Sequence, residues 1–326
     1  MAFEQVRGNE TVKALLRHTL ASGRVGHAYI LEGIRGVGRM TMARAFAGAL
    51  LGTDKPESHP DFAVVTNQLY DPSRKQENVL VDTIRSMKRD VYIRPYAGER
   101  KLYVIPRADT MQAPAQNSLL KVFEEPPGYC TIILLAENAN AFLPTILSRA
   151  LVLRLHPLEH SQVAAFLTEE RGIPPERAAQ LAVLSGGAIG KALDMLEDDE
   201  VFALREETLG HMLAMMDGNY KTMYDFIRFM KQNRGSADFI LEILLSWSRD
   251  LMHLKLGGGQ FAVINADKEE QLRAFCGRLT RTAAFRFSEI TVKYRSIIGQ
   301  NANYPVAVLC MATEYWEEIH GRDHRS

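Results

Sequence analysis

The run "GIRGVGRMTMA" at residues 33–43 constrains this chain more than any other stretch. Gly33, Gly36 and Gly38 have the spacing of a phosphate-binding loop, where backbone N–H groups and a helix N-terminus cradle phosphate oxygens. The flanks agree. "HAYILEG" (27–33) is a short apolar run ending at glycine, which reads as a buried strand. Met40, Ala43, Phe46, Ala47, Leu50 and Leu51 then mark one face of a helix. Strand, glycine loop and helix in that order predict the opening unit of an α/β domain.

Two letters of the loop are wrong for catalysis. Arg39 stands where a lysine reaches the terminal phosphates, and Met40 where a hydroxyl holds magnesium. A thioether is soft and magnesium takes oxygen ligands. Thr41 comes one residue too late and points elsewhere on the helix. The second half of such a site is an acid ending the third strand. That strand is "KLYVI" (101–105), and Pro106 and Arg107 follow it; the nearby acid is Asp109. The hydrolytic parts are missing on two separate elements.

The remaining pattern is of alternating strands and helices as far as about residue 156. Residues 10–21 carry Val12, Leu15, Leu16 and Leu20 at helical spacing. Further strands are expected at "FAVV" (62–65), "LYVI" (102–105), "TIILLA" (131–136) and "LVLRL" (151–155). One helix is expected from an N-cap at Asp82 through Ile84, Met87 and Val91. Another starts near Pro114 and carries Leu119, Leu120 and Phe123. The alternation implies a parallel five-stranded sheet covered on both faces. After His156 and Pro157 the texture becomes purely helical: three short helices over 157–198, then long helical segments over 199–326, among them 268–299 and 305–321. "LGGGQ" (256–260) reads as a loop within the last part. A chain of 326 residues accommodates two or three such domains.

Composition narrows the function classes. Thirty-nine basic residues balance thirty-nine acidic ones, so an overall basic nucleic-acid footprint is absent. Arg85, Arg89 and Arg94 read as a solvated helix face. Cys130, Cys276 and Cys310 lie too far apart for metal-ligand spacing, and three is an odd number for disulfides; buried small hydrophobes are expected. The N-terminus has no apolar run of the signal-peptide type, and no stretch approaches the roughly 18 apolar residues a membrane helix needs. A cytoplasmic protein with no membrane partner is expected.

At "ADTMQAPAQNSLLKVFEEPP" (108–127), with "LPTILSRA" (143–150), "GHAYILEG" (26–33) and "HPD" (59–61), the chain resembles the clamp-loader branch of AAA+ proteins. The likeness is strong over residues 1–195 and vague beyond. It implies an AAA+ core at 1–156 with a degenerate P-loop, a helical lid at 157–198 and an all-α collar for oligomerisation at 199–326. Active relatives carry an arginine in a Gly-Ser-x-Arg pattern of the lid; here Gly190 takes that place, with Lys191 beside it. Ser148 and Arg149 survive. In the family this arginine projects into a neighbour's ATP site as a finger in trans. Glu124 and Glu125, at a helix end, imply a structural or interface role. Many relatives bind zinc through four cysteines after the P-loop helix; residues 52–62 hold none, and His59 reads as a turn residue, so neither zinc nor another cofactor is expected. Implied partners are ATPase subunits of gamma/tau type that hold ATP and magnesium, a delta subunit, and, through the complex, a sliding clamp and primer-template DNA. The apolar face Phe239, Ile240, Ile243, Leu244 and Trp247 exceeds what a small bundle must bury, so part of it is expected to meet sister subunits.

Two other readings compete, the first needing two simultaneous rescues with magnesium unheld at Met40 and the second failing on domain order. One is a working ATPase in which Arg39 replaces the lysine and Asp109 the missing acid. The other is a P-loop enzyme such as a small-molecule kinase, for which a long helical C-terminus has no purpose.

Overall fold

The computed structural model describes residues 3–74, 76, 78–197, 199–257, 263–299 and 303–321. The chain divides into two compact units: residues 1–159 with Ala188–Lys191, and residues 160–187 with 192–326. The expected lid and collar both fall in the second unit apart from that four-residue strip. Most of "LGGGQ", residues 258–260, lies outside the described residues.

The first unit is built on strands β1 (Ala28–Glu32), β2 (Phe62–Val64), β3 (Lys101–Ile105), β4 (Cys130–Ala136) and β5 (Leu151–Arg154), with helices α1 (Glu10–Ala21), α2 (Arg39–Leu51), α3 (Asn67–Tyr70), α4 (Val81–Val91), α5 (Ala113–Glu124) and α6 (Pro144–Leu147). The strands are all parallel, in the order β2-β3-β4-β1-β5. Side chains alternate between the faces because the strand period is two. Ala28, Ile30, Tyr103, Ile105, Ile132 and Leu134 join the core under α4 and α5. Tyr29, Leu31, Leu102, Val104, Ile133 and Leu135 join the opposite core with α1 and α2. Both faces are covered, which is why these strands read as continuous apolar runs.

The expected cap of α4 is wrong. Asp82 lies inside the first turn, and Leu80 flanks the helix without a side-chain cap of its own. Buried Asn67 does the work from a distance: its Oδ1 accepts from the Leu80 N–H at 3.0 Å and the Thr83 hydroxyl at 2.6 Å. Its amide donates to the carbonyls of Gln76 and Asn78. Asp82 instead pairs with Arg85, at 3.3 Å, and Arg74. The "HPD" run makes a similar anchor. The His59 ring accepts from the Asp61 N–H, and the fully buried Asp61 carboxylate accepts from the N–H groups of Tyr96, Ala97 and Gly98 at 2.6, 2.8 and 3.2 Å.

In the second unit, α7 (His160–Arg171), α8 (Pro175–Leu184) and the later residues of α9 (Ile189–Leu196) precede α10 (Asp199–Asp217), α11 (Tyr220–Gln232), α12 (Ala237–Lys255), α13 (Glu269–Arg278), α14 (Arg281–Gly299) and α15 (Tyr304–His320). The segment expected to run unbroken over 268–299 is two helices, parted at Leu279 and Thr280, with Thr280 Oγ1 accepting from the Ala283 N–H at the start of α14. Helix α11 was not read from the sequence as a separate element. An aromatic chain forms the centre: Trp247 against Phe275, Phe275 against Phe287, and Phe287 against Tyr315, with ring centroids 6.0, 5.8 and 5.0 Å apart. The expectation for α12 therefore fails: Ile240, Ile243, Leu244 and Trp247 are spent on this core, and Phe239 is half-buried. The large apolar side chains left exposed among the described residues of this unit are Tyr220, Tyr224, Leu256, Phe285, Val292, Val306 and Leu309. Cys130 and Cys276 are buried as expected, whereas Cys310 is exposed. No helix among the described residues is long and apolar enough to cross a membrane.

Burial opposes ionisation of Asp61, yet its three backbone donors hold the carboxyl below the usual range. Asp61→Asn should destabilise the protein by about 2 kcal/mol at neutral pH, because charge-assisted bonds are lost. A lowered native pKa stabilises above the unfolded value of about 3.9 and ceases to do so as pH falls through the native value. Urea melts of both proteins should therefore differ at pH 7 and converge below about pH 4.

Candidate functional site

The glycine loop hangs from the C-terminal end of β1. Gly33 donates its N–H to Ala136 O, at 3.0 Å, at the end of neighbouring β4. A Cβ there would stand 2.7 Å from Leu155 O and 2.8 Å from Val37 Cγ1, so close approach requires glycine. Gly36 and Gly38 have φ of 80° and 102°, and Gly38 stands immediately before α2. The turn geometry of a phosphate loop is thus present.

Its charged partners are engaged within the chain. Arg39 Nη2 lies 3.5 Å from Glu137 Oε1, the first residue after β4. Asp109 Oδ2 accepts the Glu137 N–H at 2.8 Å. Met40 and Thr41 occupy the first turn of α2, Met40 packing against the core cluster of that face. Pro106 and Arg107 follow β3, with Arg107 at φ 48° and ψ 40°, a left-handed backbone unusual for a residue with a Cβ. Its carbonyl accepts from both the N–H and the hydroxyl of Thr110. Glu32, beside Gly33, accepts from the Ala139 N–H at 3.0 Å and from Arg154 Nε at 2.8 Å, and these two donors, the backbone one first, hold its carboxyl below the usual range.

The strip Ala188–Lys191, which groups with this unit, lies on the loop. The Gly190 N–H donates to Gly36 O at 2.9 Å. A Cβ at Gly190 would stand 2.9 Å from Gly36 Cα. The place where the resemblance calls for an arginine nearby is therefore one where a side chain does not fit.

Ser148 and Arg149 are elsewhere. They come after α6 and before β5, at the N-terminal edge of the sheet, while the glycine loop leaves the C-terminal edge. Glu32 pairs with Arg154 in register, so Leu155 stands beside Gly33, and Arg149 lies six residues before Leu155. At about 3.3 Å per residue, the extended run from Leu151 to Leu155 alone spans roughly 13 Å, and Arg149 lies in the turn before it. Arg149 Nη1 donates to Thr145 O at 3.0 Å and Ser148 Oγ at 3.2 Å, and Nη2 lies 3.2 Å from Glu124 Oε1.

Sequence reading missed Gln116. It is buried; its Nε2 donates to Met111 O and Ala141 O, and its Oε1 accepts the Leu143 N–H. One amide thereby joins α5 to the segment leading into α6 and Arg149. A polar residue on the buried face of an otherwise apolar helix was the available signal. Gln116→Leu keeps the volume and strands these backbone groups, so thermal unfolding should show a loss of about 2–4 kcal/mol.

Residues 8–159 match the family described as DNA polymerase III, delta subunit. The delta' subunit of DNA polymerase III from Bacillus subtilis is 26% identical over 265 residues, covering 76% of this chain and 78% of that protein. The delta' subunit from Pseudomonas aeruginosa is 30% identical over 182 residues, covering 50% of this chain and 53% of that protein. The tau/gamma subunit from Haemophilus influenzae is 28% identical over 249 residues, covering 72% of this chain and 36% of that protein. The chain thus spans about a third of the tau/gamma relative's length.

Proposed function

This chain belongs to the clamp-loader family of AAA+ proteins, with delta' and tau/gamma subunits of DNA polymerase III as relatives, and we propose that within it the chain is a delta'-type stator: a subunit that does not hydrolyse ATP itself. It assembles with gamma/tau-type ATPase subunits and a delta subunit, and the complex loads a sliding clamp on primer-template DNA. Arg149, beside Ser148, serves a neighbouring subunit's ATP.

The observation that carries this reading is the placement of Arg149 at the sheet edge opposite the glycine loop. An arginine in the turn that enters β5, at the edge opposite its own loop, acts, if it acts on a nucleotide, on one held by another chain. Charge builds on the phosphoryl oxygens during transfer, and a guanidinium there stabilises the transition state more than bound ATP. The chain's own loop lacks the matching parts: Met40 offers no oxygen to magnesium, and Pro106 and Arg107 supply no carboxylate.

The rival reading, an ATPase working through Arg39 and Asp109, is disfavoured by their partners. Arg39 is matched with Glu137, whose carboxylate repels phosphate, and Asp109 already accepts the Glu137 N–H. These contacts compete with a nucleotide for both side chains.

The test is clamp- and DNA-stimulated phosphate release by the reconstituted loader. A trans finger is worth ~10³–10⁵ at the site it serves. Arg149→Ala should abolish that site's turnover, leaving a partial rate from the others, with assembly intact. Arg149→Lys should rescue poorly, since a point charge on a flexible stem lacks the planar fork. Unchanged turnover and clamp loading in Arg149→Ala would withdraw the role.

A further inference from the structure

The geometry points to Glu124 as a positioning residue for Arg149, an inference that rests on the trans role given to Arg149 above. The guanidinium donates to Thr145 O at 3.0 Å and Ser148 Oγ at 3.2 Å, and its Nη2 forms an ion pair with Glu124 Oε1 at 3.2 Å. Thr145 and Ser148 belong to the turn from which Arg149 itself springs, so they move with it. Glu124 is the charged partner on a different element. It ends α5, and α5 is fixed to the backbone ahead of α6 by the Gln116 amide, through Ala141 and Leu143. The long side chain of Arg149 is thereby held from two sides that cannot drift apart independently.

Two features separate this pair from an ordinary surface ion pair. First, a carboxylate at the C-terminal end of a helix faces the negative end of the helix dipole, and Glu125 adds a second like charge beside it. Local energetics favour another residue type at 124. Second, stability gains little from it: the Arg149 and Glu124 side chains are 36% and 51% exposed, and ion pairs in water at that exposure contribute little. What the contact supplies is direction. A guanidinium has five N–H donors in one rigid plane. Nη1 is used on Thr145 O and Ser148 Oγ, and the Glu124 carboxylate draws the Nη2 side by charge, so the plane is held from two sides while donors remain for a phosphoryl group. Orientation of this kind acts on the rate rather than on ground-state binding.

The experiment uses the complete loader with wild-type chain, Glu124→Ala, Glu124→Asp, Arg149→Ala and the double variant. The quantity read is the Arg149-dependent part of ATP turnover, the difference between wild type and Arg149→Ala. Glu124→Ala should lower that part about three- to tenfold in kcat, with KM for ATP unchanged, as for an interaction felt in the transition state. Glu124→Asp should restore part of it. In the Arg149→Ala background Glu124→Ala should cost nothing more, because the two act through one contact. Thermal unfolding of the variant chains and their assembly by gel filtration should match wild type. A wild-type rate or a raised rate for Glu124→Ala would overturn the inference, as would a further loss in the double variant or a fall in unfolding temperature that accounts for the effect. If Arg149→Ala itself changes nothing, the trans role fails instead, so the two failures are distinguishable.

Discussion

Parallel pairing of β1 with β4 on one side and β5 on the other fixes where each loop of the first unit can lie. Every strand runs the same way, so segments leaving a strand and segments entering one are forced to opposite edges of the sheet. The glycine loop leaves β1, and Glu137 leaves β4, so Arg39 meets Glu137 at one edge. Arg149 leads into β5, and α5 ends just before β4, so Arg149 meets Glu124 at the other. The register makes these two pairs independent. A substitution at one edge does not reach the other through direct contact.

The two edges also differ in what their charges leave available. At the loop, Arg39 faces Glu137, Asp109 is spent on a backbone N–H, and Glu32 is spent on Ala139 and Arg154. Gly190 lies against Gly36 where an arginine would otherwise sense phosphate. The loop has the glycine turn of a phosphate cradle, and charged groups around it are paired within the chain. Retention has a physical reason: Gly33 is needed for packing against Leu155 whether or not a phosphate is ever held. A loop that joins β1 to α2 cannot be discarded without disturbing the sheet's centre.

Much of this was legible in the sequence because burial leaves periodic marks. The four strands β1 to β4 are largely apolar on both faces, and α1, α2 and α5 carry apolar stripes, so element type was read directly. The family was legible from "NSLLKVFEEPP" and "TILSR", which periodicity alone would not distinguish. What escaped was long-range. Asn67 caps α4 from thirteen residues before Leu80, so the local choice of Asp82 was mistaken. Gln116 and the Arg39–Glu137 and Arg149–Glu124 pairs join residues far apart in the chain, and no spacing rule announces them. The fate of α12 was also non-local. Its apolar face looked like surplus until Phe275 supplied a partner for Trp247, with Phe287 and Tyr315 from two further helices continuing the aromatic chain.

The account stands on the chain's own loop being unable to serve ATP while Arg149 serves another's. The most direct measurement is a titration of the purified chain with a fluorescent ATP analogue, with and without magnesium, alongside phosphate release from ATP. The account predicts no magnesium-dependent gain in affinity and no turnover, since no oxygen ligand stands at Met40 and no carboxylate at Pro106 or Arg107. Magnesium-dependent binding with turnover that disappears in Arg39→Ala would contradict it and establish the chain as an ATPase in its own right.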